Sequence, residues 1–337
     1  MGPLSDLYAW LGVLVMKKIL VIQSLRPEAL KIFEARKDIS YELVTDFSEQ
    51  SLLAKVGDAD AITIRTAAIT KRLLEAAPRL KVISRHGVGY DNIPVNECTA
   101  RGIPVTIVGS VNAVSVAEHT FFLMLAAARA GIELDTATRR GDFGIRNRVT
   151  GIELSGRNLL IIGFGRIGKQ VAARARAFGM NILVFDPYLN SDLPKDIRVF
   201  ASLEKALSEA NVVTLHTPLT DETRGMLGAR ELSLLPRDAI VINASRGGLV
   251  DEAALLAAVK SGHLHGAGLD TFELEPPLSD SPLFSEPRIV LSPHTAAMTE
   301  TSLAAMSVMT AKNALAGLDG TLDPELVVNR AVLTSRS

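Results

Sequence analysis

Leu159-Leu160-Ile161-Ile162-Gly163-Phe164-Gly165-Arg166-Ile167-Gly168 is the stretch on which the reading of this chain turns. Its four apolar residues make a short buried strand that runs into the pattern G-x-G-x-x-G, and residues 169–178 then read as a helix. The pattern by itself also fits an ordinary glycine turn. Its context goes further. Asp186 stands eighteen positions past Gly168 (186 − 168) and closes a second apolar run, Ile182-Leu183-Val184-Phe185, where the second strand of a βαβ unit should end. Glycines so placed allow a tight turn, close approach of a pyrophosphate and close helix–strand packing, and the helix N-terminus turns N–H groups and a positive dipole end toward phosphate. The stretch therefore predicts a dinucleotide site.

Outward from it, short apolar runs alternate with helical ones. Upstream, strands are expected at 19–22, 41–44, 61–64, 81–84 and 104–107, with helices at 27–35, 51–56, 71–77 and 94–100 between them. Downstream, strands follow at 199–200, 212–215, 239–242, 266–269 and 289–291. Such alternation predicts an α/β protein with open parallel sheets, whose ligands bind at the carboxyl ends of strands. Two mostly apolar helices, at 115–129 and 303–318, stand at the joins. The first is expected between domains or at a subunit contact, the second back against the first sheet. Residues 139–153 read as a loop.

The totals narrow the class. The 337 residues suffice for two domains, and a net charge near −1 gives no reason to expect nucleic acid or an acidic membrane as partner. One cysteine, Cys98, allows no intrachain disulfide, which suits a reducing cytoplasm; it reads as a structural thiol. Residues 7–16 are nearly all apolar, but the positive charge of Lys17-Lys18 follows them where a signal peptide has it in front, and a membrane span needs about 20 residues. Residues 1–15 are expected to be an extension outside the fold.

Polar residues gather at the carboxyl ends of the later strands: Asn243-Ala244-Ser245-Arg246-Gly247-Gly248, Asp270-Thr271-Phe272-Glu273-Leu274-Glu275-Pro276 and Ser292-Pro293-His294-Thr295-Ala296-Ala297. An arginine grips a carboxylate with two parallel hydrogen bonds. A histidine passes a proton near neutral pH, and a carboxylate on that histidine favours imidazolium and orients the ring. Beside a nicotinamide, those groups would serve reduction of a 2-oxo acid.

Together with Gly87-Val88-Gly89-Tyr90-Asp91-Asn92, Asn112-Ala113-Val114-Ser115-Val116-Ala117-Glu118-His119, Gly151-Ile152-Glu153-Leu154-Ser155-Gly156 and Leu215-His216-Thr217-Pro218-Leu219, these segments resemble the D-isomer-specific 2-hydroxyacid dehydrogenases from about Lys17 to about Asn329. The resemblance implies a Rossmann NAD-binding domain, 111–296, inserted into a smaller flavodoxin-like substrate domain, 16–110 plus 297–330, with a cleft that closes over substrate. It implies NAD as cofactor, a small 2-oxo or 2-hydroxy acid as partner, and a homodimer built on the NAD-binding domain. Arg246 matches the family's carboxylate-binding arginine, His294 its acid–base histidine and Glu275, directly before proline, the histidine's partner. Glu273 does not occupy that position.

By the same resemblance the cofactor is held by Gly163, Gly165, Arg166, Ile167, Gly168, Asp186, Pro187, His216, Thr217, Pro218, Thr223, Ala244, Ser245, Arg246, Asp270, His294 and Ala296. Asp270 falls at the nicotinamide end. The substrate falls to Arg65, His86, Gly87, Val88 and Gly89 with Arg246 and His294. Asp186 favours NAD over NADP, because a carboxylate bonds ribose hydroxyls and repels a 2′-phosphate.

Arg65 and Asp186-Pro187-Tyr188 resemble the 3-phosphoglycerate dehydrogenase subgroup, without room for its regulatory domain; phosphoglycerate, hydroxypyruvate or glyoxylate, and other acidic 2-hydroxy acids stay open as substrates. An NAD(H)-sensing binding protein on the same fold is the alternative from another class. Phe143 stands where the family often has tryptophan, which leaves the dimer arm open. His119 is expected to pack, His216 to lie near the cofactor without chemistry, and Asp91 and Asn92 to form a turn. His263 and His265 lack clustered acids, so no metal site is expected.

Overall fold

A computed structural model describes residues 16–189 and 193–334, and these divide into two compact units: one runs to Asn112 and resumes at Glu300, the other is Ala113–Thr299. The expected extension 1–15 lies outside the described residues.

In the first unit, strands β1 (Lys17–Ile22), β2 (Ile39–Val44), β3 (Ala61–Ile64), β4 (Val82–Arg85) and β5 (Val105–Thr106) form a parallel sheet in the order β2-β1-β3-β4-β5. That is the flavodoxin-like order. Successive residues of a strand point to opposite faces, so Leu20 and Ile22 enter one apolar layer with Ile62 and Ile83 while Ile19 and Val21 enter another. The second layer is completed by Phe33 from helix Pro27–Glu34 and by Ala311, Ala314 and Leu318 from helix Glu300–Asp319. Gly317 lies so close to β4 that an added Cβ would come within 2.6 Å of all three Val82 side-chain carbons.

In the second unit, β6 (Asn158–Ile162), β7 (Asn181–Phe185), β8 (Ile197–Val199), β9 (Val212–Leu215), β10 (Ala239–Asn243), β11 (Leu264–Leu269) and β12 (Ile289–Leu291) form a parallel sheet in the order β12-β11-β10-β9-β6-β7-β8. Counted from β6 this is the doubly wound 3-2-1-4-5-6 order with a seventh strand, reversing between β6 and β9. Leu159 and Ile161 face one buried layer, Leu160 and Ile162 the other.

The structure adds to three local expectations. Helix Ala113–Ala128, expected between domains or at a subunit contact, packs one face within the second unit on β10, β11, β12 and helix Arg166–Ala177 and leaves Val114, Phe122 and Leu125 exposed. Gly268 of β11 lets it lie close to the sheet: a Cβ there would stand 2.7 Å from that of Leu123. Helix Arg166–Ala177 starts three residues before the expected Lys169, because the glycine pattern is not a break but the helix's first turn. The stretch expected as a loop over 139–153 follows a helix, Gly131–Arg139, that the apolar pattern does not announce, and contains a 3₁₀ turn, Phe143–Asn147.

Candidate active site

The glycines after β6 divide by what surrounds them. At Gly163 (φ +90°) a Cβ would sit 2.6 Å from the His216 carbonyl oxygen, and at Gly168 it would sit 2.3 Å from that of Gly163. Neither position admits a side chain. At Gly165 a Cβ would meet nothing within 4 Å. Two glycines are thus required by the protein's own packing, while the middle one keeps a space clear for something else, as a pyrophosphate cradle requires. The first bond of the following helix runs from Lys169 N to Gly165 O, so its first turn, with Arg166 and Ile167, directs N–H groups at that space.

Beside the loop lies a cavity of about 550 Å³, walled by Gly163, Gly165, Asp186, Pro187, Tyr188, His216, Thr217, Pro218, Glu222 and Thr223 among others. Asp186 closes β7 with its carboxylate anchored at both oxygens: Oδ2 accepts from Phe164 N at 2.8 Å and Oδ1 from Tyr188 N at 2.9 Å. Each oxygen keeps a lone pair for a further donor. Tyr188 donates its hydroxyl to Glu222 Oε2 at 3.0 Å, adding a second acid to this wall. Thr223 Oγ1 donates to Pro218 O at 2.7 Å, and Ser245 Oγ to Thr217 O at 2.9 Å, tying the loops after β9 and β10 together. His216 bonds Thr214 Oγ1 through Nε2 at 3.0 Å, and its Nδ1 is enclosed. Burial drives its pKa down to about 3, so the ring is neutral.

Arg246, Glu275 and His294 all belong to the second unit. Asn243 fixes the first loop: its Nδ2 donates to Arg246 O at 2.7 Å and its Oδ1 accepts from Ser245 N at 3.1 Å. Arg246 turns back to donate to Ser245 O at 2.6 Å. Gly247 then passes so close to the next loop that a Cβ there would be 1.7 Å from Phe272 O. Glu275 accepts from Phe272 N at 3.1 Å through Oε1, and its Oε2 lies 2.7 Å from His294 Nδ1. Burial acts to raise the Glu275 pKa, but the His294 hydrogen bond and charge, Phe272 N and the charge of Arg246 outweigh it and hold the carboxyl below its usual range. With Nδ1 turned to Glu275, Nε2 is the ring atom left for proton exchange.

His294 has φ +52°, a left-handed backbone fixed by its neighbours. Its N–H donates to Asp270 O at 2.7 Å, while the Asp270 carboxylate accepts from Thr295 N at 2.8 Å, Ala296 N at 2.9 Å and Ser292 Oγ at 2.6 Å. Asp270 is fully buried; its desolvation is outweighed by His119, Ser292 and those backbone donors, which keep its pKa low.

In the first unit, Gln23 pins the loop after β3: Oε1 accepts from Thr66 N at 2.7 Å and Ala67 N at 3.0 Å. His86, expected to bind substrate, is buried with Nε2 3.1 Å from Ser307 Oγ, so its ring is part of the packing. Burial, then the charges of Arg65 and Arg85, lower its pKa to about 4. The Arg85 guanidinium folds over Gly87, whose φ of +147° and missing Cβ leave room for it. Gly87 is buried and Val88 and Gly89 are half-buried.

The family model described as D-isomer specific 2-hydroxyacid dehydrogenase, NAD binding domain, matches residues 121–296, just over half of the chain. The chain belongs to the D-isomer specific 2-hydroxyacid dehydrogenase family. The chain is 41% identical over 317 residues to D-3-phosphoglycerate dehydrogenase of Methanocaldococcus jannaschii, covering 93% of itself and 60% of that relative. To glyoxylate reductase of Korarchaeum cryptofilum it is 41% identical over 290 residues, covering 85% of itself and 87% of the relative. The crystal structure of D-lactate dehydrogenase from Aquifex aeolicus, complexed with NAD and lactic acid, superposes with a TM-score of 0.83 at 30% identity, over 92% of this chain and 99% of the other.

Set in this 2-hydroxyacid dehydrogenase family, the residues that sequence reasoning passed over are Glu222, Gln23 and the hydrogen-bonding side of His119. His119, expected only to pack, sits with Nε2 2.8 Å from Ser292 Oγ and 3.3 Å from Asp270 Oδ1. The histidine that ends the Asn112–His119 segment is the one sequence signal that points there.

Proposed function

We propose that this chain transfers hydride reversibly between NAD(H) and a small acidic 2-oxo or 2-hydroxy acid, with Arg246, Glu275 and His294 as its working side chains. The observation that carries the reading is the 2.7 Å His294–Glu275 pair with the charge of Arg246 acting on the same carboxylate. Bound nicotinamide supplies or accepts the hydride. In reduction the His294 Nε2 proton passes to the carbonyl oxygen, and in oxidation Nε2 takes it from the hydroxyl. Glu275, ionised at neutral pH, favours the imidazolium and holds the ring plane. Arg246 grips the substrate carboxylate by its planar fork. Gly163, Gly165, Arg166, Ile167 and Gly168 would hold the pyrophosphate, and Asp186, Pro187, Thr217, Pro218 and Thr223 the adenosine side. Ala244, Ser245 and Ala296 fall to the cofactor by resemblance, and Asp270 to its nicotinamide end.

NAD is the preferred cofactor in this reading, since Asp186 and Glu222 both line the cavity and would repel a 2′-phosphate. For substrate, an acid with a second anionic group, such as phosphoglycerate, is the first reading, supported by the 41% identity to a D-3-phosphoglycerate dehydrogenase. Glyoxylate or hydroxypyruvate is the second reading, favoured by the fuller coverage of the glyoxylate reductase. A panel of 2-oxo acids with NADH and NADPH decides among them, and intact NADH binding without turnover on any would replace the enzyme by a cofactor-sensing protein.

The reading extends to a homodimer through the second unit. There a cavity of about 580 Å³ is walled by Phe122, Ile132, Leu283, Phe284 and Ile289, with Phe143 exposed nearby in the chain. Sedimentation of the purified protein tests it. The single cysteine, Cys98, buried and unpaired in any disulfide, supports a cytoplasmic setting, and no single described helix is long and apolar enough to cross a membrane.

A further inference from the structure

We infer that His119 is a positioning residue for the His294 loop, acting through Ser292 and Asp270. The inference rests on the reading that His294 moves the proton, and assigns a role to a side chain in a different element.

The hydrogen-bond directions follow from proton counting. Ser292 has one hydroxyl proton, and it is given to Asp270 Oδ1 at 2.6 Å. The 2.8 Å contact between Ser292 Oγ and His119 Nε2 can then only be a bond that the imidazole donates, so Nε2 carries a proton. The same proton lies within reach of Asp270 Oδ1, at 3.3 Å. The chain of donors therefore runs His119 Nε2–H to Ser292 Oγ–H to Asp270 carboxylate.

Asp270 is the hub on which the loop hangs. It is 0% exposed, and its carboxylate and carbonyl receive the backbone N–H groups of three consecutive residues, His294, Thr295 and Ala296. Those bonds hold His294 at φ +52°, a conformation an L side chain adopts only when its surroundings impose it. A buried carboxylate short of donors is costly and is free to rotate toward others. His119 and Ser292 supply the side-chain donors that fix its rotation, and with it the direction in which the loop presents the imidazole to Glu275. The ring of His119 is itself held at 5.4 Å from that of Phe122 on the same helix.

The test compares His119→Leu, which keeps the bulk and loses the donor, with His119→Gln, which restores an N–H donor at similar reach. Two readouts are taken on the full chain. In cofactor-free protein, hydrogen exchange of the backbone N–H groups of Thr295 and Ala296 should quicken about tenfold in His119→Leu and return toward wild type in His119→Gln. In turnover with the best oxo acid, His119→Leu should lower kcat about tenfold or more while KM changes less than about threefold, with His119→Gln recovering most of the loss. The inference is overturned if His119→Leu matches wild type in exchange, or if His119→Gln is as impaired as His119→Leu, which would make shape and not the donor the requirement. If wild type turns over no oxo acid, the hydride-transfer reading fails, and the exchange measurement still decides whether His119 holds the loop.

Discussion

Gly247 offers the sharpest test of the site's construction from two loops. A Cβ at this position would lie 1.7 Å from Phe272 O and 2.7 Å from Glu273 N, whereas ordinary contact begins at 3.4 Å. Both atoms are backbone, so no side chain can swing aside. Gly247→Ala must therefore drive the Arg246–Gly248 segment and the Phe272–Glu273 peptide apart by more than an ångström. Arg246 opens the first segment, and Glu275 hangs on the second through Phe272 N. A misplacement of about 1 Å among reacting groups costs about 10²-fold in rate, so kcat/KM should fall by about 10²- to 10³-fold. Gly248→Ala is the control. Its nearest neighbour would be 3.6 Å away, and its φ of +78° charges only about 1–2 kcal/mol of left-handed strain to stability. Steady-state kinetics, NADH fluorescence titration and thermal melts on both variants separate the effects. Gly247→Ala with near-wild-type kcat/KM would refute the argument that contact between these loops sets the geometry of Arg246 and Glu275.

Gly165→Val should leave the melting temperature nearly unchanged and weaken NADH binding by about tenfold or more, because its side chain enters space the protein leaves clear; unchanged affinity in a titration would place the pyrophosphate elsewhere. Asp186→Ser combined with Glu222→Gln should narrow the NAD-over-NADP preference in kcat/KM by about 10²-fold, since two negative charges leave the cavity wall. His294→Ala should lower kcat by about 10²- to 10⁴-fold without loss of NADH binding. Acid should destabilise both units. His216 and His86 have folded pKa values depressed to about 3 and about 4 from an ordinary 6.5, so below pH 6.5 the unfolded chain binds more protons than the folded one. Stability from each is whole above pH 6.5 and declines by about 1.4 kcal/mol per pH unit until the folded pKa is reached. Urea unfolding at pH 7.5 and 5.5 measures this, and His216→Gln should flatten the second unit's share.

What the sequence made legible is what local spacing encodes. The glycine motif and Asp186 eighteen residues on (186 − 168) define one βαβ unit, and the alternation of apolar runs located the strands of both sheets to within two or three residues at either end. The segments carrying Arg246, Glu275 and His294 stood out because polar residues end apolar strands, and the structure brings those of Glu275 and His294 into a hydrogen bond. The start of helix Arg166–Ala177 was misplaced because glycine is a poor helix former and masks a first turn made of Arg166, Ile167 and Gly168. Other features depend on partners far along the chain. Glu222 meets Tyr188 across 34 residues and His119 meets Ser292 across 173, distances at which periodicity carries no information. His86 is expected at the substrate by resemblance; its 3.1 Å contact with Ser307, 221 residues later, is of the same long-range kind.

Helix Glu300–Asp319 completes the apolar layer that Ile19, Val21 and Val82 begin, although 187 residues of the second unit (299 − 113 + 1) are threaded between. On the ribosome, the first sheet therefore emerges with this flank covered by helix Pro27–Glu34 but not by helix Glu300–Asp319, and stays so while the whole inserted unit is made. The usual order, in which the earliest-made domain is the first to finish, is reversed here. The segment synthesised first waits longest, and a nascent chain stalled before residue 300 should hold a finished second unit beside an open, chaperone-dependent sheet.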